Sequence, residues 1–120
     1  MGVVYARIEV ANIMGGEETF SMPVLVDTGS TDTVIPENEL DRLGIKREKK
    51  QNYELADGSI VTYDVGFAFL HINGEKVVTN VVFGEEGVDP LLGVIALESA
   101  GFIVDPVNQI LRKLESVPLK

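Results

Sequence analysis

The run from Ile60 to Ile72 constrains the fold more than any other stretch of the chain. It is long, rich in Val, Ile, Phe and Tyr, and free of proline. Residues of that kind favour the pleated, half-buried surface of a sheet. Asn73-Gly74 follows at once, a pair that supports the positive φ angles of a tight hairpin. Lys76 to Phe83 then returns as a partner strand. Upstream, Asp57-Gly58 marks a second hairpin, fed by a short strand over Asn52 to Ala56.

The remaining elements are short. Tyr5 to Ala11 alternates as a half-buried strand. Gly15-Gly16 turns it back into Thr19 to Val26, where Pro23 sits early, as an edge or strand start tolerates. Thr33-Val34-Ile35 is a β-branched strand. Pro36 opens a helix over Glu37 to Leu43, with acids in its first turn and Gly44 as its stop. Val94 to Ala100 predicts a second helix, ended by Gly101. Phe102-Ile103-Val104 and Gln109 to Leu114 are strands separated by Asp105-Pro106. The fold class is mostly β with two short helices, and no alternating βαβ pattern supports a parallel sheet. Residues 1–120 read as a single domain, without linker, low-complexity tract or solenoid repeat.

Charge and composition remove several classes of function. A formal net charge of −9 argues against nucleic acid as a partner. The basic cluster Lys46-Arg47-Glu48-Lys49-Lys50 is short and interrupted, and reads as a solvated turn. Without cysteine there are no disulfides, thiolate nucleophiles or zinc–thiolate sites. Met1 to Val10 has no signal-peptide pattern, and no run approaches a membrane span. A cytoplasmic protein that engages no membrane is expected. His71, the single histidine, reads as a surface or packed imidazole. The acids Asp32, Glu37, Glu39 and Asp41 read as a solvated helix N-terminus, and Glu85, Glu86 and Asp89 as an acidic loop, with no metal site at either. No cofactor is called for.

Chemistry concentrates in Val24-Leu25-Val26-Asp27-Thr28-Gly29-Ser30. An apolar strand ends in an acid, where a carboxylate is costly without partners. Gly29 allows close backbone approach, and Thr28 and Ser30 bring hydroxyls beside the acid. Far downstream, Leu91-Leu92-Gly93 forms a second apolar–glycine element running into the predicted helix.

With Val26-Asp27-Thr28-Gly29-Ser30, Thr33-Val34-Ile35-Pro36, Ala56-Asp57-Gly58-Ser59, Leu91-Leu92-Gly93 with Ala96-Leu97, and the closing Phe102 to Pro106, the chain resembles the retroviral-type (retropepsin-like) aspartic proteases, in particular their small single-domain bacterial and archaeal members. The resemblance implies a closed, acid-protease-like β-barrel corresponding to one lobe. It implies a homodimer in which Asp27 of each subunit meets on the two-fold axis, and a peptide or protein as substrate. It makes Asp27 catalytic, with Thr28, Gly29 and Ser30 supporting the site. Ala56, Asp57, Gly58 and Ser59 become a flap over the substrate, and Leu91, Leu92 and Gly93 a structural strand beside the catalytic loop. Ser30 stands where viral members carry alanine; a hydroxyl donor near the paired acids leads to the expectation of an acidic optimum. The alternative from another class is a catalytically silent dimer of the same fold that binds or scaffolds peptides. The start at Met1 leads to the expectation of a free-standing domain rather than one cut from a polyprotein. The polar tail Glu115 to Lys120, with Pro118, is a poor central strand, so an interface unlike the interleaved termini of viral members is expected.

Overall fold

The computed structural model of the chain describes residues 3–119. The expectations that include Met1, Gly2 and Lys120 lie at those three positions outside the described residues.

Alternation builds the first hairpin. In β1 (Tyr5–Asn12), Ala6, Ile8 and Val10 point inward while Tyr5 and Arg7 face out. Antiparallel β2 (Thr19–Val26) lies against it, with Tyr5 opposite Leu25 and Ala11 opposite Thr19. After the Asp27 turn come β3 (Thr33–Pro36) and the single-turn helix α1 (Glu37–Arg42), anchored by fully buried Leu40. Then β4 (Lys49–Glu54), the long β5 (Ile60–Ile72) and β6 (Glu75–Gly84) form a continuous antiparallel meander. The two-residue β7 (Leu91–Leu92) precedes α2 (Val94–Ser99), and β8 (Phe102–Asp105) pairs with β9 (Ile110–Lys113) in a separate ribbon.

Seven strands form one sheet in the order β1-β2-β7-β3-β6-β5-β4, and β1 pairs additionally with the C-terminal half of β5. The expected mostly β class with two short helices is what the chain adopts. The sheet is not a parallel one; it is mixed, mainly antiparallel with parallel pairs as well. β7 runs parallel to β2, with Leu25 opposite Leu91, and β3 runs parallel to β6, with Val34 opposite Val82. The connections that permit this are not βαβ crossovers. The whole β4–β6 meander separates β3 from β7, which then inserts between β2 and β3.

The basic cluster is corrected. Lys49 and Lys50 belong to β4, whose residues are nearly all exposed and which hydrogen-bonds to β5 on one side. Charged side chains on an edge strand discourage pairing with other chains, which is why this strand carries so little apolar signal. Arg47 is an anchor rather than part of a free turn: it bridges Glu37, Asp41 and Asp64 and lies 4.3 Å above the Phe83 ring. Core residues from β1, β5, β6, α1 and α2 pack together around Ile8, Ile35, Leu70, Ile72 and Leu92. In β6, Val81 to Gly84 are buried in succession, because both helices pack against a strand already flanked within the sheet.

Candidate active site

Asp27 stands one residue beyond the end of β2. Its backbone N–H donates to the Leu92 carbonyl at 3.0 Å, which extends the parallel β2–β7 pairing to the acid itself. The chain then turns, and the Ser30 N–H donates to the Asp27 carbonyl at 3.1 Å. The Gly29 N–H donates to Asp27 Oδ1 at 2.9 Å, which fixes the carboxylate against the turn. A Cβ at Gly29 would sit 3.2 Å from that same oxygen, so glycine suits the turn for steric reasons.

The loop is held from below by the second apolar–glycine element. The first N–H groups of α2 have no partners within the helix. Val94 donates instead to the Ser30 carbonyl at 2.8 Å, and Ile95 to the Thr31 carbonyl at 3.2 Å. The Gly93 N–H donates to the buried Thr33 hydroxyl at 3.1 Å. Gly93 has ordinary extended φ, but a Cβ there would lie 2.5 Å from the Asp32 carbonyl carbon and oxygen. Strand β7, the helix start and the acid-bearing turn are therefore one hydrogen-bonded unit.

The β4–β5 hairpin reaches over this unit. Its turn places Gly58 at φ 86°, with the Gly58 N–H donating to the Leu55 carbonyl at 2.9 Å. This is a three-residue loop with a left-handed glycine. Asp57 accepts from the Ser59 hydroxyl and N–H, which in that order hold its carboxyl below the usual range. Between hairpin and loop lies a cavity of about 410 Å³. Asp27, Gly29, Ser30, Leu91 and Ala56 line it. Of the other residues singled out from sequence, Asp57, Gly58 and Ser59 form the exposed hairpin tip, Thr28 is exposed beside the acid, and Leu92 and Gly93 are buried beneath it.

The sequence reading missed two residues that shape this cavity. Asp32 does not belong to a solvated helix terminus; it is 8% exposed and accepts from the Tyr53 hydroxyl at 2.6 Å. Burial, followed by the bond to Asp32, raises the Tyr53 phenol well above its ordinary range. Tyr53 lies on β4, so this contact joins the hairpin stem to the acid-bearing loop. The two residues are 21 positions apart, and no local pattern connects them. Ser30 also differs from expectation: its hydroxyl donates to the Asp32 carbonyl at 2.9 Å and stiffens the loop. His71 lies elsewhere, 3.6 Å from Glu9 across the β1–β5 pairing. Among the described residues no group of His, Cys, Asp and Glu is arranged to hold a metal ion, and no helix is long and apolar enough to cross a membrane.

A family model described as "gag-polyprotein putative aspartyl protease" matches residues 14–99, a span from the first hairpin turn through α2. No curated protein matches the chain.

Proposed function

Because the chain belongs to the gag-polyprotein aspartyl protease family, which is retropepsin-like, we propose that it is an aspartic endopeptidase that works as a homodimer through paired Asp27 carboxylates. The observation that carries this reading is the placement of Asp27. It is a partly exposed acid on a rigid, hydrogen-bonded turn, facing a cavity roofed by a hairpin. In this reading β1, β2, β7, β3, β6 and β5 form the closed barrel of one acid-protease lobe, supported by the pairing of β1 with both β2 and β5.

One chain supplies one such acid. A second subunit related by a two-fold axis brings the other, and exposed Thr28 and Gly29 are the residues through which the two turns approach. Two carboxylates that close cannot both ionise, so they share a proton and titrate as a pair. The ionised member takes a proton from water as the water oxygen attacks the peptide carbonyl carbon. The protonated member donates its proton to the carbonyl oxygen. The resulting diol collapses, the C–N bond breaks, and a proton passes to the leaving amine. The hairpin around Ala56 to Ser59 acts as the flap, excluding water and offering backbone groups to an extended peptide.

The test compares wild type with Asp27→Asn on an unstructured protein substrate from about pH 3 to 7, alongside sedimentation, because a shared-proton pair works in the acidic range. Cleavage by the wild-type dimer and none by the variant is expected, with a maximum on the acidic side of neutrality. Equal cleavage by both, or none by either in a confirmed dimer, refutes the proposal. The latter result favours a silent dimer that binds peptides.

A further inference from the structure

Asp32 is an unusual group to find in the wall of a peptide-binding cavity. More than nine-tenths of the residue is buried, and Oδ2 accepts from the Tyr53 hydroxyl. Its other oxygen, Oδ1, has no hydrogen-bond partner among the described residues. Among the described residues no lysine or arginine lines the cavity, whereas Asp27, Asp32 and Glu54 all do. A buried carboxylate with an orphan oxygen and no cation is a costly arrangement unless something else completes it.

The rest of the wall indicates what would complete it. Val34, Val82, Val88 and Leu91 offer an apolar channel. The rings of Tyr53 and Tyr63 stand beside it, with centroids 6.4 Å apart. A long side chain with an aliphatic stem and a cationic head matches each part. The stem packs on the aliphatic residues, the head passes the aromatic faces, and the charge meets Asp32. Tyr53 covers the carboxylate with a single O–H. A guanidinium or ammonium brings several donors and a full charge, so it competes for Oδ2 and supplies Oδ1.

We propose that Asp32 is a specificity-determining residue and that this cavity receives an arginine or lysine side chain of the substrate. The inference rests on the proposed peptidase reading for its substrate class, but a binding measurement tests it independently. Asp27→Asn protein serves as the non-cleaving background. Unstructured fluorescent peptides containing one arginine are compared with otherwise identical peptides containing citrulline, which has nearly the same shape and no charge. Fluorescence anisotropy at low salt should give an affinity about tenfold higher for the arginine peptide, the scale of one charge-assisted contact. Adding Asp32→Asn should bring the two peptides within about twofold of each other, since the charge is then gone. Bonds cut by wild type should be flanked by arginine or lysine.

Equal affinity for the arginine and citrulline peptides overturns the proposal even if wild type cleaves both, a result that leaves the peptidase reading standing. A preference that survives in a folded Asp32→Asn protein overturns the assignment to Asp32. Absence of cleavage counts against the peptidase reading, and the binding comparison still decides this one. If Asp32→Asn does not fold, the arginine–citrulline comparison on protein with Asp32 intact decides alone.

Discussion

Replacing Gly93 with alanine tests whether the acid-bearing turn and the start of α2 form one rigid unit. The backbone at Gly93, φ −87° and ψ 168°, suits any residue, so the substitution introduces no torsional strain. By restricting the unfolded chain it would by itself stabilise by about 0.4–1 kcal/mol. Sterics act in the opposite direction. The new methyl would lie 2.5 Å from the Asp32 carbonyl carbon and oxygen and 2.8 Å from the Thr31 oxygen. These are backbone atoms, which cannot rotate aside as a flexible side chain would. Relief requires the loop and the helix start to part by about 1 Å, and overpacking of this kind costs about 1–3 kcal/mol. The clash therefore wins, with a net loss of roughly 1–2 kcal/mol and a fall in Tm of roughly 5–10 °C. Displacing the turn that holds Asp27 by that distance should slow peptide cleavage by about 100-fold. Gly74→Ala provides the contrast. Its Cβ would meet nothing within 4 Å, but φ is +87°, so it should lose about 1–2 kcal/mol through backbone strain alone. Cleavage should be untouched there, in a hairpin remote from the cavity. Urea denaturation and a cleavage assay on both proteins decide the matter. A Gly93→Ala protein as stable and as fast as wild type would show that the two segments are not coupled through this contact.

Tyr53→Phe removes the bond to Asp32 and leaves a buried carboxylate short of partners. Stability should fall by about 1–2 kcal/mol, read from the urea midpoint; a variant as stable as wild type refutes the role of that bond. Asp105 is held at about 2 by the Asn108 side chain, the Asn108 N–H and Arg112, in that order, against an ordinary value of 3.8. A depressed carboxylate stabilises the fold above its unfolded value, so this contribution is complete above about pH 4 and fades as pH falls toward 2. Asp105→Asn should flatten that part of the acid-unfolding curve, and an unchanged curve contradicts the assignment. Arg47→Ala breaks three ion pairs and the contact over Phe83. All of these are solvent-accessible on the arginine side, so the expected loss is only about 1–2 kcal/mol, partly suppressed by high salt; a loss above about 4 kcal/mol would mean that the network is far less screened than its exposure implies.

Where local chemistry decides an element, the sequence was sufficient. The spans of β2 and β5 coincide with the expected Thr19 to Val26 and Ile60 to Ile72, because apolar runs bounded by turn residues leave few alternatives. The Asp57-Gly58 and Asn73-Gly74 turns follow from backbone freedom that other residues lack, with Gly58 and Gly74 both at positive φ. The turn around Asp27 was legible from a glycine two residues past the acid, where a Cβ would crowd the carboxylate, and the proximity of a second apolar–glycine segment followed from the family resemblance. Strand β4 was the main miss. It begins at Lys49 rather than Asn52, and pairing with β5, not apolar content, makes it a strand.

Tertiary structure alone decided the rest. The parallel pairings join segments on opposite sides of a long meander, and hydrogen bonding between strands distant in sequence leaves no periodic signature. The same holds for Asp32. By itself it is one more acid in an acidic stretch, but folding buries it, places Tyr53 on one oxygen and leaves the other buried without a hydrogen-bond partner among the described residues. The chemical identity of the site, an acid at a strand end with a glycine two residues on, was written in the linear sequence. The shape of the cavity around it, and the second carboxylate in its wall, depend on contacts between residues that only the folded chain brings together.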